Sequence, residues 1–140
     1  MSIEELKNLG RDFFETQDRL KGRLSSDICA TDYTAYIAGN PPLDFEGHSQ
    51  FGTLFYKGFP DLKHFIEYVI TDGRKVVVRF TIVGKHTGNF LGIEPTNKFI
   101  RISAIAIMHV FNDKVKELHA EYNHMALLKQ LGQIPAVMNN

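Results

Sequence analysis

Val83-Gly84-Lys85-His86-Thr87-Gly88-Asn89-Phe90-Leu91-Gly92-Ile93-Glu94-Pro95-Thr96-Asn97-Lys98 is a glycine-punctuated connection between the two most strand-like runs of the chain. Upstream, Lys75 to Val83 is β-branched and alternating. Downstream, Phe99 to Phe111 is the longest apolar alternation in the sequence, so both flanks predict strands and the stretch between them a long hairpin connection. Gly84, Gly88 and Gly92 admit backbone angles closed to other residues, and Pro95 fixes one angle and removes a donor, so the loop can be ordered without ladder bonds.

Asp72-Gly73 is a tight-turn signal that links Lys75 back to Asp61–Thr71, whose second half favours strand, and Asn112-Asp113 leads on to a strand from Val115 to Asn123. The four strands predict an antiparallel meander. Before them, Ile3, Leu6, Leu9, Phe13, Phe14, Leu20 and Leu24 recur at spacings of three and four behind a Ser2/Glu5 capping pattern, which predicts an amphipathic helix broken at Gly22. Leu24 to Cys29 suits a second short helix, Tyr33 to Ile37 a short strand, and Gly39-Asn40-Pro41-Pro42 a loop. A further helix is expected from near Gly47 to Gly58, and a last one from Met125 to Leu131, stopped by Gly132 and Pro135. Helices on one face of a bent antiparallel sheet make an α+β plan that leaves either a packed core or a pocket.

A chain of 140 residues suits a single domain over residues 1–140 and should bury on the order of two thirds of its unfolded surface. Sixteen basic and sixteen acidic residues cancel, without a run of five like charges, so neither nucleic acid nor an anionic membrane is an expected partner. The longest apolar stretch falls short of a membrane span, and a cytoplasmic location is the expectation. Cys29, the only cysteine, reads as a small buried hydrophobe. His48, His64 and His124 lack the spacing of a metal site, and His109 reads as a core or interface histidine. The aromatic positions Phe13, Phe14, Phe51, Phe55 and Phe59 are core by their spacing, and in a hollow fold also walls. Arg79 either anchors a ligand or pairs with Glu117 or Glu121.

Phe59-Pro60-Asp61-Leu62, Gly84-Lys85-His86-Thr87-Gly88 with Phe90, Gly92, Pro95 and Thr96, and Gln130-Leu131-Gly132, with Arg79 and Glu117 between, resemble the SnoaL-like polyketide cyclase (ester cyclase) family. The resemblance implies a cone-shaped, cystatin-like α+β fold, a curved antiparallel sheet wrapped around the N-terminal helices with a pocket in its mouth. It also implies a homodimer and a ring-closing aldol reaction on an aromatic polyketide ester without metal or organic cofactor. The family's acid/base, an Asp on the last strand, falls here on Asn123, which cannot exchange a proton at neutral pH. The neighbouring Trp and His of the family fall on His119 and Tyr36, and its Pro-Pro-Thr-Gly on Glu94-Pro95-Thr96-Asn97.

In a regular strand Glu117, His119, Glu121 and Asn123 share one face, so Glu121 and His119 are the nearest replacements for the lost carboxylate unless a bulge breaks the register. Alternating polar residues also fit the solvent face of an edge strand. The expected catalytic set is thus Asn123, Glu121 and His119, with Tyr36, Phe13, Phe55, Phe59, Arg79 and His86 contacting substrate. Three functions are compatible with these residues: a cofactor-free cyclase or isomerase acting on a small apolar carbonyl compound, a binding protein that has lost its catalytic group, or a dimerising scaffold with a filled core.

Overall fold

The computed structural model describes residues 1–133; the expected helix stop at Pro135 lies outside the described residues. Its elements are α1 (Ile3–Arg19), β1 (Cys29–Ile37), α2 (Phe45–Gly58), β2 (Lys63–Asp72), β3 (Lys75–Lys85), β4 (Phe99–Phe111), β5 (Lys114–Tyr122) and α3 (His124–Gln130). Together they form the expected α+β fold, a curved sheet with helices against its inner face.

The strand order is β1-β5-β4-β3-β2, and the four strands from β2 to β5 form the predicted antiparallel meander. The first strand adds a parallel edge: Thr34, Ala35, Tyr36 and Ile37 pair with Glu117, Leu118, His119 and Ala120. This places β5 inside the sheet, not at its edge. The predicted short helix from Leu24 to Cys29 is absent, because the chain turns through residues 26–28 and enters β1 at Cys29, four residues earlier than expected.

Both long helices start on the signals that their sequences carry. Ser2 accepts from the Glu5 amide while the Glu5 carboxylate accepts from the Ser2 amide, and Asp44 accepts from the Gly47 amide to cap α2. The first helix ends where Lys21 and Gly22 turn to positive φ. Its apolar stripe of Leu6, Leu9, Phe13 and Phe14 is buried with Val76, Val78 and Phe80 of β3 and with Ala104, Ala106 and Met108 of β4. Every second residue of β4 is buried from Ile100 to Val110, so the long alternation separates an inner from an outer sheet face.

The glycine-rich connection is held to the end of α2. The amides of Thr87 and Gly88 both donate to the Gly58 carbonyl, and Phe90 is buried against Phe55 and Phe59. Of the three glycines quoted above, only Gly92 has positive φ. Gly88 is required for room, since a Cβ there would stand 2.0 Å from the Lys57 carbonyl oxygen, and Gly84 is closely packed, since one there would stand 3.2 Å from the Phe59 Cβ. Among the described residues, no helix is long and apolar enough to cross a membrane.

Candidate functional site

The inner face of the sheet and the two long helices enclose a cavity of about 80 Å³, partly open to solvent. In the same measure a single water takes about 10–15 Å³, so the space admits a small molecule or several waters. Its walls are mainly apolar, with Phe13, Phe14, Phe51, Phe55, Phe80 and Leu118 prominent. Two histidines enter it, His48 from α2 and His64 from β2.

His64 is fixed by Asp18, near the end of α1. The ring Nδ1 lies 2.7 Å from Asp18 Oδ1, the His64 amide donates to Oδ2 at 3.0 Å, and the Tyr56 hydroxyl donates to Oδ1. Burial alone would push the Asp18 carboxyl up, but the hydrogen bond and charge of His64, the Tyr56 hydroxyl and the His64 amide outweigh it and hold it below the usual carboxylate value. An ionised carboxylate only accepts, so His64 Nδ1 carries the hydrogen of this bond in either protonation state, and the ring in its neutral form has its lone pair on Nε2. That nitrogen has no protein partner among the described residues and is not sealed in protein, on a ring that lines the cavity. Burial, followed by the bond to Asp18 and its charge, pushes the Tyr56 phenol up, so it stays a donor.

His48 is 4 % exposed, stacks on Tyr33 at 5.9 Å and shares a 2.8 Å hydrogen bond between its Nδ1 and the Tyr33 hydroxyl. Burial, with a smaller contribution from the charge on His64, lowers its pKa to about 4. The unfolded chain therefore takes up a proton at His48 near pH 6.5, whereas the folded chain resists it down to about pH 4. The contribution of His48 to stability is complete above about pH 6.5 and is lost as pH falls toward 4, amounting to roughly 3 kcal/mol across that window. Urea titrations between pH 7 and 4.5 should show this loss in the native chain and a flatter profile for His48→Gln; parallel profiles would refute it.

The residues expected from sequence are distributed differently. Phe13 and Phe55 line the cavity, and Glu121 stands at its rim, between the cavity and the outer face. Glu117, His119 and Glu121 keep the alternate register that places them on one side of β5, but the four-residue face is broken at its C-terminal end. An irregularity at Lys116 leaves Val115 and Leu118 both inward, and the strand stops at Tyr122, so Asn123 turns to accept from the Ala126 amide as the cap of α3. His119 lies on the outer face, where Tyr36 stacks on it at 4.7 Å and Glu117 approaches its Nε2 at 2.9 Å. His119, Glu121 and Asn123 are therefore not brought together in the cavity.

Tyr36 is 40 % exposed on that outer face. Arg79 pairs with neither Glu117 nor Glu121; its guanidinium donates to the carbonyls of Phe80 and Ala104. Phe59 is sealed between Phe90 and His86, outside the cavity lining. His86 is fully buried with Nδ1 accepting from the Thr96 amide, which anchors the glycine-rich loop. His109, half exposed, lies 4.0 Å from Glu117.

Sequence reasoning passed over Asp18, His48 and His64 because it examined histidines for metal spacing. The available signal was positional: Gln17 and Asp18 continue the Phe13/Phe14 stripe of α1, and His48 precedes Gly52 and Tyr56 at helical spacing on the buried stripe of α2. Polar residues on an apolar stripe face the interior.

The sequence pattern of the family described as SnoaL-like polyketide cyclase matches residues 7–131. Among solved structures, the fold is similar to AclR of Streptomyces galilaeus, described as a candidate hydroxylase, at 22 % identity and TM-score 0.85, covering 96 % of this chain and 100 % of that one. It is also similar to a candidate SnoaL-like polyketide cyclase of Jannaschia sp. CCS1 (19 %, TM-score 0.82, covering 96 % and 97 %) and to IdmH of Streptomyces antibioticus, a candidate polyketide cyclase (19 %, 0.81, covering 91 % and 98 %). No curated protein matches the sequence.

Proposed function

The chain belongs to the SnoaL-like polyketide cyclase family, and from that premise we propose that it is a cofactor-free acid/base enzyme that moves a proton beside the carbonyl of a small apolar compound held in the cone. One observation carries this reading: a histidine that lines an apolar cavity is oriented by an ionised aspartate through Nδ1, which leaves Nε2 without a protein partner among the described residues. His64 would be the general base, with Asp18 fixing its tautomer and stabilising the imidazolium that forms. Intramolecular aldol closure and double-bond isomerisation both begin with this step.

The test is α-proton exchange of 2-tetralone in D2O, followed by NMR. Exchange above the buffer rate supports the enzyme. A ligand-dependent rise in Tm without exchange would instead favour a binding protein that has given up the family's Asp at Asn123.

Homodimerisation is the second part of the proposal. Ile70, Val77, Ile107, His119 and Tyr36 form one cross-strand row on the outer face, flanked by the exposed Ile105. An apolar row on an uncovered sheet suits a second copy of the chain. Sedimentation should give a dimer that Ile107→Lys converts to monomer; a native monomer would remove the proposal.

A further inference from the structure

His48 is left without a role by a general base at His64, yet it opens on the same cavity. Its protonation pattern follows from its partner. Tyr33 is 2 % exposed, and burial, followed by the proximity of Cys29, pushes its phenol well above the ordinary value, so the hydroxyl keeps its hydrogen. Among the described residues, its only side-chain hydrogen-bond partner is His48 Nδ1 at 2.8 Å. The hydroxyl therefore donates to Nδ1, and the neutral ring carries its own hydrogen on Nε2. Nε2 has no protein partner among the described residues and is not sealed. One cavity thus holds a lone pair on His64 Nε2 and an N–H on His48 Nε2, the complementary tautomers fixed by Asp18 and Tyr33.

The walls also restrict charge. No lysine or arginine lines the cavity among the described residues, and its carboxylate, Glu121, stands at the rim. A carboxylate or phosphate that arrives already ionised would enter without a counter-cation, at a high desolvation cost, whereas an enolate or phenolate formed inside leaves its proton on His64 as the balancing charge.

Resting on the acid/base reading above, we propose that His48 is the oxyanion-stabilising donor of the cone, so that the cavity selects neutral planar compounds bearing an enolisable C–H beside a carbonyl, with the carbonyl oxygen on His48 Nε2–H. In the step that follows, the C–H bond breaks and its proton passes to His64 Nε2. The electron pair forms a carbon–carbon double bond, and the carbonyl becomes an enolate oxygen held by His48. The enolate then either takes the proton back at a conjugated carbon or attacks a second carbonyl, whose new alkoxide takes it from His64. Atoms and electrons balance without an oxidant.

The probe is 4-nitrophenol, whose phenolate mimics a planar enolate and is identified by its yellow absorbance, with nitrobenzene as the ring without the oxygen. Native protein should bind 4-nitrophenol with its ionisation shifted toward the phenolate. His48→Phe should weaken phenolate binding by about 10- to 100-fold while nitrobenzene binding persists. Equal phenolate affinity in native protein and His48→Phe, or no binding of either probe, overturns the proposal. If His48→Phe does not fold, the native ¹⁵N spectrum decides: a hydrogen on His48 Nε2 whose resonance moves on adding 4-nitrophenol supports it, and a hydrogen on Nδ1 overturns it. Failure of the enzyme reading has a different signature, phenolate binding that depends on His48 with no exchange of 2-tetralone.

Discussion

His64→Gln lowers α-proton exchange of 2-tetralone by about 10²- to 10⁴-fold while the chain stays folded, the range expected for loss of a positioned general base. Glutamine keeps a polar side chain near Asp18 but has no basic nitrogen, so the substitution separates proton transfer from packing. Asp18→Asn should reproduce part of the loss with a distinct pH profile, because an amide can donate to Nδ1 and so favour the tautomer that puts the hydrogen on Nε2. Asn123→Asp is the control: an aspartate there still caps α3 from outside the cavity, so exchange should remain at the native rate. Native exchange in His64→Gln, or a large gain in Asn123→Asp, would return the reaction to the last strand, where the family resemblance places it.

Gly52→Ala destabilises the fold by about 3 kcal/mol, at the upper end for overpacking, and lowers Tm by about 10 °C. A Cβ at Gly52 would lie 2.2 Å from the Gly22 carbonyl oxygen and 3.1 Å from the Gly22 Cα. Both contacts are backbone, so no side chain can swing away; either α2 lifts or the turn after α1 opens, and Gly22 is already held at φ +99°. Because His48 lies one turn before Gly52 on the same helix, the displacement should also disturb its bond to Tyr33. A thermal melt within about 2 °C of the native chain would show that the approach is looser than it stands here.

The features that were legible in the sequence are those written in local periodicity. The alternation from Phe99 to Phe111 defines β4 to the residue, the turn signals at Asp72-Gly73 and Asn112-Asp113 join the right strands, and Ser2 with Glu5 starts α1. The pairing of β1 with β5 was not legible, because a parallel partner leaves no mark in the strand's own pattern. The site failed for a related reason. Alternation places Asn123 on a face with Glu121 only while the chain stays extended, and the chain leaves the strand at Tyr122 to cap a helix. Asp18, His48 and His64 come from two helices and a strand, and no motif spans them; their convergence is a product of tertiary packing.

The parallel edge also governs the order in which the molecule can assemble. The strand β1 has its sheet neighbour in β5, more than half the chain further on, while the meander from β2 to β5 pairs only strands that are consecutive in the chain. During synthesis the first strand, with Tyr33 on it, must wait unpaired until β5 has emerged, and the loop-closure entropy of that one pairing falls on the last step. Slow, late protection of the β1 amides in pulse-labelled hydrogen exchange would be the kinetic trace of a cone that closes from its far seam.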